Sequence, residues 1–271
     1  MKKNLISFIL MLISLLGYSQ TEEEYFNSAA AKGQAGDYRG AIEDYTKVIA
    51  INPRSYQSYC SRANAKLRLE DYRGAIIDCN MGIAIDELNA DMSYGLRGVA
   101  KDRLGDNRGA IEDYNKAIAI NPYFDGMLYF NRAISKLKLK DDRGAIDDFT
   151  EAISIKPDFA NAYLQRGISK FKLKNYSDAI IDFNMAIAIE ANSELAYSSR
   201  GAAKGELGDE IGALSDFNKA IVIKPDYALA YLQRGTSKLN LGQKDSGCLD
   251  FSKAGELGYD DAYEYIKKYC N

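Results

Sequence analysis

Two charged residues return along this 271-residue chain at one fixed interval. Arg62, Arg97, Arg132, Arg166, Arg200 and Arg234 form one set, and Asp44, Asp78, Asp113, Asp148, Asp182, Asp216 and Asp250 the other. Carboxylates can do acid–base chemistry, and a stripe of like charges can hold a charged ligand. The competing reading is structural. A planar guanidinium fork matches a carboxylate, so the two sets read as a ladder of pairs joining neighbouring helices. The densest acidic stretch, "DDRGAIDD" at 141–148, lacks the ligand spacing and turn glycine of a calcium loop and is one copy of a recurring phrase. The chain has no His, which removes His-based triads, His metal ligands and the usual base near neutral pH. It contains no Gly-rich phosphate loop, no CxxC pair and no nucleophile elbow. No enzyme activity, catalytic residue, cofactor or metal is expected.

The recurring phrase supplies the elements. "GDYRGAIEDYTKVIAINP" begins at Gly36, and six further versions follow. Anchored on Ile42, Ile76, Ile111, Ile146, Ile180, Leu214 and Cys248, the steps are 34, 35, 35, 34, 34 and 34 residues. A fixed period of this length signals a stack of repeats. The two longer steps place one extra residue between Ile85 and Tyr94 and another between Ile120 and Tyr129, in turns where length costs little. Each copy reads as two amphipathic helices. In the third, Gly105 suits a left-handed helix end, Asp106 an N-cap, and Pro122 a stop.

Small residues hold one position of each first helix (Ala29, Ala63, Gly98, Ala133, Gly167, Gly201, Gly235) and one of each second helix (Ala41, Ala75, Ala110, Ala145, Ala179, Ala213, Gly247). Helices approach closely only there, and a large residue would overpack by about 1–3 kcal/mol. The first helices add Tyr25, Tyr59, Tyr94, Tyr129, Tyr163, Tyr197 and Tyr231. The second mostly answer with Tyr45, Tyr114, Phe149, Phe183, Phe217 and Phe251, Cys79 being the exception. Twenty Tyr could suggest carbohydrate stacking, but their fixed positions favour a core role.

With its small–aromatic–small pattern and closing Pro (Gly98, Ala110, Tyr114, Ala117, Pro122), the chain resembles tetratricopeptide repeat (TPR) proteins. It departs from them in having Tyr for the frequent Trp and Lys for a frequent second Tyr (Lys32, Lys66, Lys101, Lys136, Lys170, Lys204, Lys238). Glu87 and Ala191 stand where two copies lack the closing Pro. The resemblance implies an all-α fold, a right-handed α-solenoid of tandem helix-turn-helix repeats with a C-terminal capping helix. The expected layout is a signal peptide at 1–19, then seven repeats over 20–259 (about 22–55, 56–90, 91–125, 126–159, 160–193, 194–227 and 228–259). A capping helix is expected over 260–271, helical from about Asp260 to Tyr269, and the stretch "KAGELGYDDAY" of the last unit weakly resembles Sel1-like repeats.

The amino terminus reads separately. "MKKNLISFILMLISLLGYSQ" opens on Lys2 and Lys3, carries an apolar run from Leu5 to Leu16, and places Gly17 and Ser19 before a cut at Gln20. The run is short of the roughly 20 residues a membrane-spanning helix needs. The expectation is an exported protein, periplasmic or extracellular, with no stable membrane insertion after cleavage. The mature chain is acidic, which disfavours nucleic acid as a partner. An oxidising compartment permits disulfides. Cys248 and Cys270 could close a loop of about 22 residues, worth roughly 3 kcal/mol. Cys79 replaces a core aromatic. Cys60, by the resemblance, faces the groove, and free thiols are the default reading for both.

The resemblance further implies a concave face lined by the first helices. Carried over residue by residue, its centre comprises Met92, Val99 and Arg103, then Met127, Phe130, Ile134, Leu137 and Lys138, then Asn161, Leu164, Ile168, Phe171 and Lys172. Gln57, Asn64, Leu67 and Arg68 continue it one way; Leu229, Leu232, Thr236 and Asn240 the other. An apolar stripe edged by basic residues suits a protein or peptide partner. Ile134 and Ile168 could instead pack between helices. The carboxylate clamp of TPR co-chaperones is not built, since only Asn64 matches. The leading expectation is a non-catalytic interaction scaffold. The alternatives are a structural subunit of a bacterial envelope complex and, further off, a cell-wall or carbohydrate-binding module. The oligomeric state is open.

Overall fold

The computed structural model describes residues 21–122 and 126–270. Its described residues form fifteen α-helices and fall into two compact units divided after Pro122. The first unit holds three helix pairs: α1 (Glu22–Gln34) with α2 (Tyr38–Ile51), α3 (Tyr56–Arg68) with α4 (Tyr72–Ile85), and α5 (Asp91–Arg103) with α6 (Asn107–Ile120). The second holds four, α7 (Gly126–Lys138) with α8 (Asp142–Ile155), α9 (Ala160–Lys172) with α10 (Tyr176–Ile189), α11 (Glu194–Glu206) with α12 (Glu210–Ile223), and α13 (Ala228–Asn240) with α14 (Lys244–Glu256). A final helix, α15 (Ala262–Tyr269), follows. Within each unit every helix packs on the next, so the pairs stack as tandem repeats of an all-α solenoid. First helices also meet first helices: α1 with α3, α3 with α5, α9 with α11, and α11 with α13. The expected leader at 1–19 and the second one-residue insertion lie outside the described residues. The first insertion is taken up by a 3₁₀ turn at Glu87–Asn89.

The sequence phrase has a local cause at each end. Asp37, Asp71, Asp106, Asp141 and Asp209 cap the second helices, each accepting from the amide of the Gly three residues on. A Cβ on that Gly would collide with the capping carboxylate, which fixes the "GA" of the phrase. The turn before the cap needs a left-handed residue. Gly36, Gly105, Gly208 and Gly242 supply it, while Glu70, Lys140 and Lys174 adopt positive φ in their place.

The small positions of the first helices face the aromatics of the second. A Cβ on Gly98, Gly167, Gly201 or Gly235 would lie 2.7–2.8 Å from the ring of Tyr114, Phe183, Phe217 or Phe251. Those four rings are at most 2% exposed.

The charged sets pair throughout. Arg166, for example, donates from Nε and Nη2 to Asp182 at 3.0 and 2.6 Å. Lys170 Nζ lies 2.8 Å from the second oxygen of the same carboxylate. The pairs at Asp78, Asp113, Asp148, Asp216 and Asp250 are alike, so the recurring Lys is a second counter-charge and not groove chemistry. The third guanidinium nitrogen reaches the second helix of the preceding pair: Arg62 to Thr46, Arg166 to Thr150, Arg200 to Asn184, and Arg234 to Asn218. Each of these four Arg thus ties three helices while lying over a Tyr of its own helix, as Arg166 does over Tyr163 at 5.5 Å. In the first pair Ser28 stands in for Arg, and Lys32 and Lys47 serve Asp44.

Cys248 on α14 and Cys270 after α15 form a disulfide, with Cα atoms 5.7 Å apart. Tyr265 of α15 stacks on Phe251, centroids 5.3 Å apart. Cys79 and Cys60 are free and buried. Cys60 corrects the sequence reading. It is 1% exposed, with Sγ 3.1 Å from Ser93 Oγ of α5, and so does not line a groove. Burial pushes both thiols up from their ordinary value.

Candidate protein-binding face

The first helices carry the surface of interest, and each unit has its own hollows on it. In the first unit a hollow of about 310 Å³ opens between α1 and α3. Ala30, Gly33, Ser61, Asn64 and Arg68 line it, with Tyr38 and Tyr45 from α2. Of the residues expected here from sequence, Met92 and Arg103 are exposed and Val99 is half-buried.

In the second unit the expected residues divide. Met127, Lys138, Asn161 and Lys172 are exposed, and Lys172 Nζ lies 3.5 Å from Asp142. Phe130 is half-buried, its ring 4.7 Å from Phe159 and 5.5 Å from Phe149. Ile134 and Leu137 pack partly on the same core. Leu164, only 6% exposed, belongs to that core; Leu232 is as buried, yet its side chain lines the second hollow described below. Ile168 and Phe171 do line a hollow.

That hollow measures about 240 Å³ and lies across α9, α11 and α13. Its walls are Ile168 and Phe171 of α9, Leu195, Ser198, Ser199 and Ala202 of α11, Leu229 and Gln233 of α13, with Phe183 and Tyr227. The cause is legible by comparing registers. Where α9 carries Leu164 and Ile168, and α13 carries Leu232 and Thr236, α11 carries Ser198 and Ala202. Side chains are missing from the middle helix, and the apolar flanks of its neighbours stay uncovered. Ser198 Oγ donates to Gln233 Oε1 at 2.5 Å, which fixes one polar edge. Burial pushes the Tyr227 phenol up from its ordinary value, so it remains a neutral hydroxyl. A second hollow of about 340 Å³ shares Phe171, Ala202, Leu229 and Gln233 with the first and continues to Glu206, Glu210, Asn240 and Tyr265. The arrangement can hold an apolar side chain beside hydrogen-bonding groups. No cluster of acidic and Cys residues able to hold a metal occurs among the described residues. No helix among them is long and apolar enough to cross a membrane.

Of the residues expected from sequence, Ile168, Phe171 and Leu229 line the first hollow, and Leu232, Thr236 and Asn240 line the second. Sequence reasoning missed Leu195, Ser198, Ser199, Ala202, Tyr227 and Gln233. The available signal was the run of small residues in "ELAYSSRGAAKGE" at positions where the other first helices are bulky.

Helix pairs of this length, joined by capped turns and stacked in series, define a helical-repeat protein. The chain carries tetratricopeptide repeats: residues 25–55, 93–124 and 128–159 each match the tetratricopeptide repeat family. Solved structures agree on the fold. The C-terminal part of a TPR repeat-containing protein from Cytophaga hutchinsonii matches with a TM-score of 0.70 at 17% identity, covering 86% of this chain and 95% of that one. YrrB, described as a TPR protein with an unusual peptide-binding site, matches at 0.63 and 21% identity, covering 70% of this chain and 96% of its own. A tetratricopeptide repeat protein from Parabacteroides merdae matches at 0.61 and 22%, covering 92% and 99%. No curated protein sequence matches the chain. The fold is that of a protein–protein interaction scaffold, a class that is generally non-catalytic.

Proposed function

We propose that the protein is a non-catalytic scaffold that grips a segment of a partner polypeptide on the first-helix face of its second unit. The observation that carries this reading is the hollow between α9 and α13, where Leu195 is 38% exposed beside Ile168, Phe171 and Leu229. Apolar surface left open inside a concave, polar-edged site favours a partner's side chain. The volume of about 240 Å³ is below the roughly 300–1,000 Å³ of sites that enclose drug-sized ligands, and suits one or two side chains of a peptide. The peptide-binding site named for the similar YrrB supports the same use of the fold.

We place the scaffold outside the cytoplasm. The leader-like first 19 residues and the Cys248–Cys270 disulfide both favour an oxidising compartment. The mass of the chain recovered from the cell envelope or medium tests this: processing before Gln20 is expected, and an intact Met1 in the cytosol would refute it.

Ala202→Ile fills the hollow with the residue that α9 carries at the same register, so the fold should accept it. Affinity purification of wild type against Leu195→Asp/Ala202→Ile is expected to lose a specific co-purifying protein while the unfolding midpoint stays within a few degrees. Recovery of the same proteins by both would refute the proposed site.

A further inference from the structure

We infer that the segment held here presents an apolar side chain and, close beside it, a lysine or arginine. This rests on the groove reading above and specifies its partner.

The two connected hollows differ in charge. The first is apolar; the second ends at Glu206, the last residue of α11, and Glu210, the first of α12. Neither carboxylate has an ion-pair partner among the described residues, and Glu206 accepts a hydrogen bond from the Tyr176 hydroxyl. The buried Asp of each second helix holds two cations, and Asp142, which matches Glu210 in register, has Lys172 beside it. At the register of Lys172 the next first helix carries Glu206, so the groove edge changes sign just where the hollow opens.

Glu210 is held in place. Its Oε1 accepts from Asn240 Nδ2 at 2.6 Å, and its Oε2 is shielded from water with no donor. The same orphaned acceptor recurs at Asn107 and Asp142; what is particular here is the pair of negative charges at one end of an apolar hollow, which favours a cation alongside. Phe171 lines both hollows, so an apolar group seated on it lies next to the acidic end. The chemistry that completes the site is therefore an ammonium or guanidinium carried by the same segment that fills the apolar hollow. A bare metal ion is a poor fit, since no metal-holding cluster forms here among the described residues. An acidic segment would be repelled.

The test uses the full mature chain, immobilised, and a phage-displayed library of random dodecapeptides. Enriched sequences are then made as fluorescein-labelled peptides for anisotropy titration. The inference predicts enrichment of peptides with an aliphatic or aromatic residue within one helical turn of Lys or Arg. Glu206→Gln/Glu210→Gln should weaken those peptides about tenfold, erase the basic preference, and flatten the salt dependence of binding. Ala202→Ile should abolish capture. Circular dichroism confirms that each variant folds. Peptides with an apolar anchor and no basic preference, or an affinity unmoved by the double Gln variant, would overturn this inference and leave the groove reading standing. No enrichment, or enrichment indifferent to Ala202→Ile, would overturn both.

Discussion

Asp182→Asn tests the charge ladder at one of its two most enclosed points. Asp182 is 1% exposed and receives Arg166 through two nitrogens and Lys170 through a third. The substitution removes the charge while keeping size and one acceptor. Arg166 and Lys170 would then be left as cations whose side chains are only 15% and 19% exposed. Breaking a buried pair by removing one partner costs about 3–5 kcal/mol. Some of that is recovered here, because both cations already touch solvent and Arg166 retains Thr150 and the Tyr163 ring. The expected loss is about 3 kcal/mol. A stack of repeats need not unfold in one step, so local opening is the proper readout. Amide exchange in α9 and α10 should accelerate about a hundredfold, with Asp147→Asn on the exposed face of α8 as the control. If exchange in both helices stays within threefold of wild type, the ladder does not hold these repeats together.

The remaining predictions concern pH, thiols and the carboxyl end. Burial pushes Asp44 up, but hydrogen bonds from Lys32, Ser28 and Lys47 outweigh it and hold the carboxyl at about 2. A depressed carboxyl contributes stability above its unfolded value and loses it as pH falls through the folded one. Wild type should therefore lose about 2 kcal/mol between pH 4 and pH 2 that Asp44→Asn does not, read from urea midpoints across that range. Cys60 and Cys79 should resist a thiol reagent in the native chain and both react in urea; labelling of either in the folded protein at neutral pH would contradict their enclosure. Replacing Cys248 and Cys270 by Ser removes a 22-residue loop closure worth about 3 kcal/mol, and exchange should rise in α15 and the end of α14 alone. An unchanged α15 would mean that packing of Tyr265 on Phe251 suffices.

The repeats were legible because each copy solves one packing problem with the same residues. Gly201 against Phe217 and Arg200 against Asp216 reappear every 34 residues or so, and repetition separates their signal from chance. Surface function has no such redundancy. Leu164 and Phe130 looked like groove residues by register, yet the first is buried in the core and Phe159 and Phe149 pack on the second. Cys60 was turned the wrong way because register alone cannot show that Ser93 of the next pair would bury it. The hollow between α9 and α13 exists because Ser198 and Ala202 are small. An absence inside one copy becomes visible only when three copies stand side by side. The capping helix starts at Ala262, two residues after the expected Asp260, a difference of ordinary size at a helix end.

The central claim is that this hollow is where a partner sits. A photocrosslinking amino acid placed at Ser199, on the wall of the hollow, and another at Ile181, exposed on α10 outside it, put that claim to one measurement in intact cells. A discrete adduct from position 199, missing from position 181 and lost when Ala202→Ile is added, is the predicted result. Equal adducts from both positions, or an adduct at 199 that survives the filled hollow, would contradict the account.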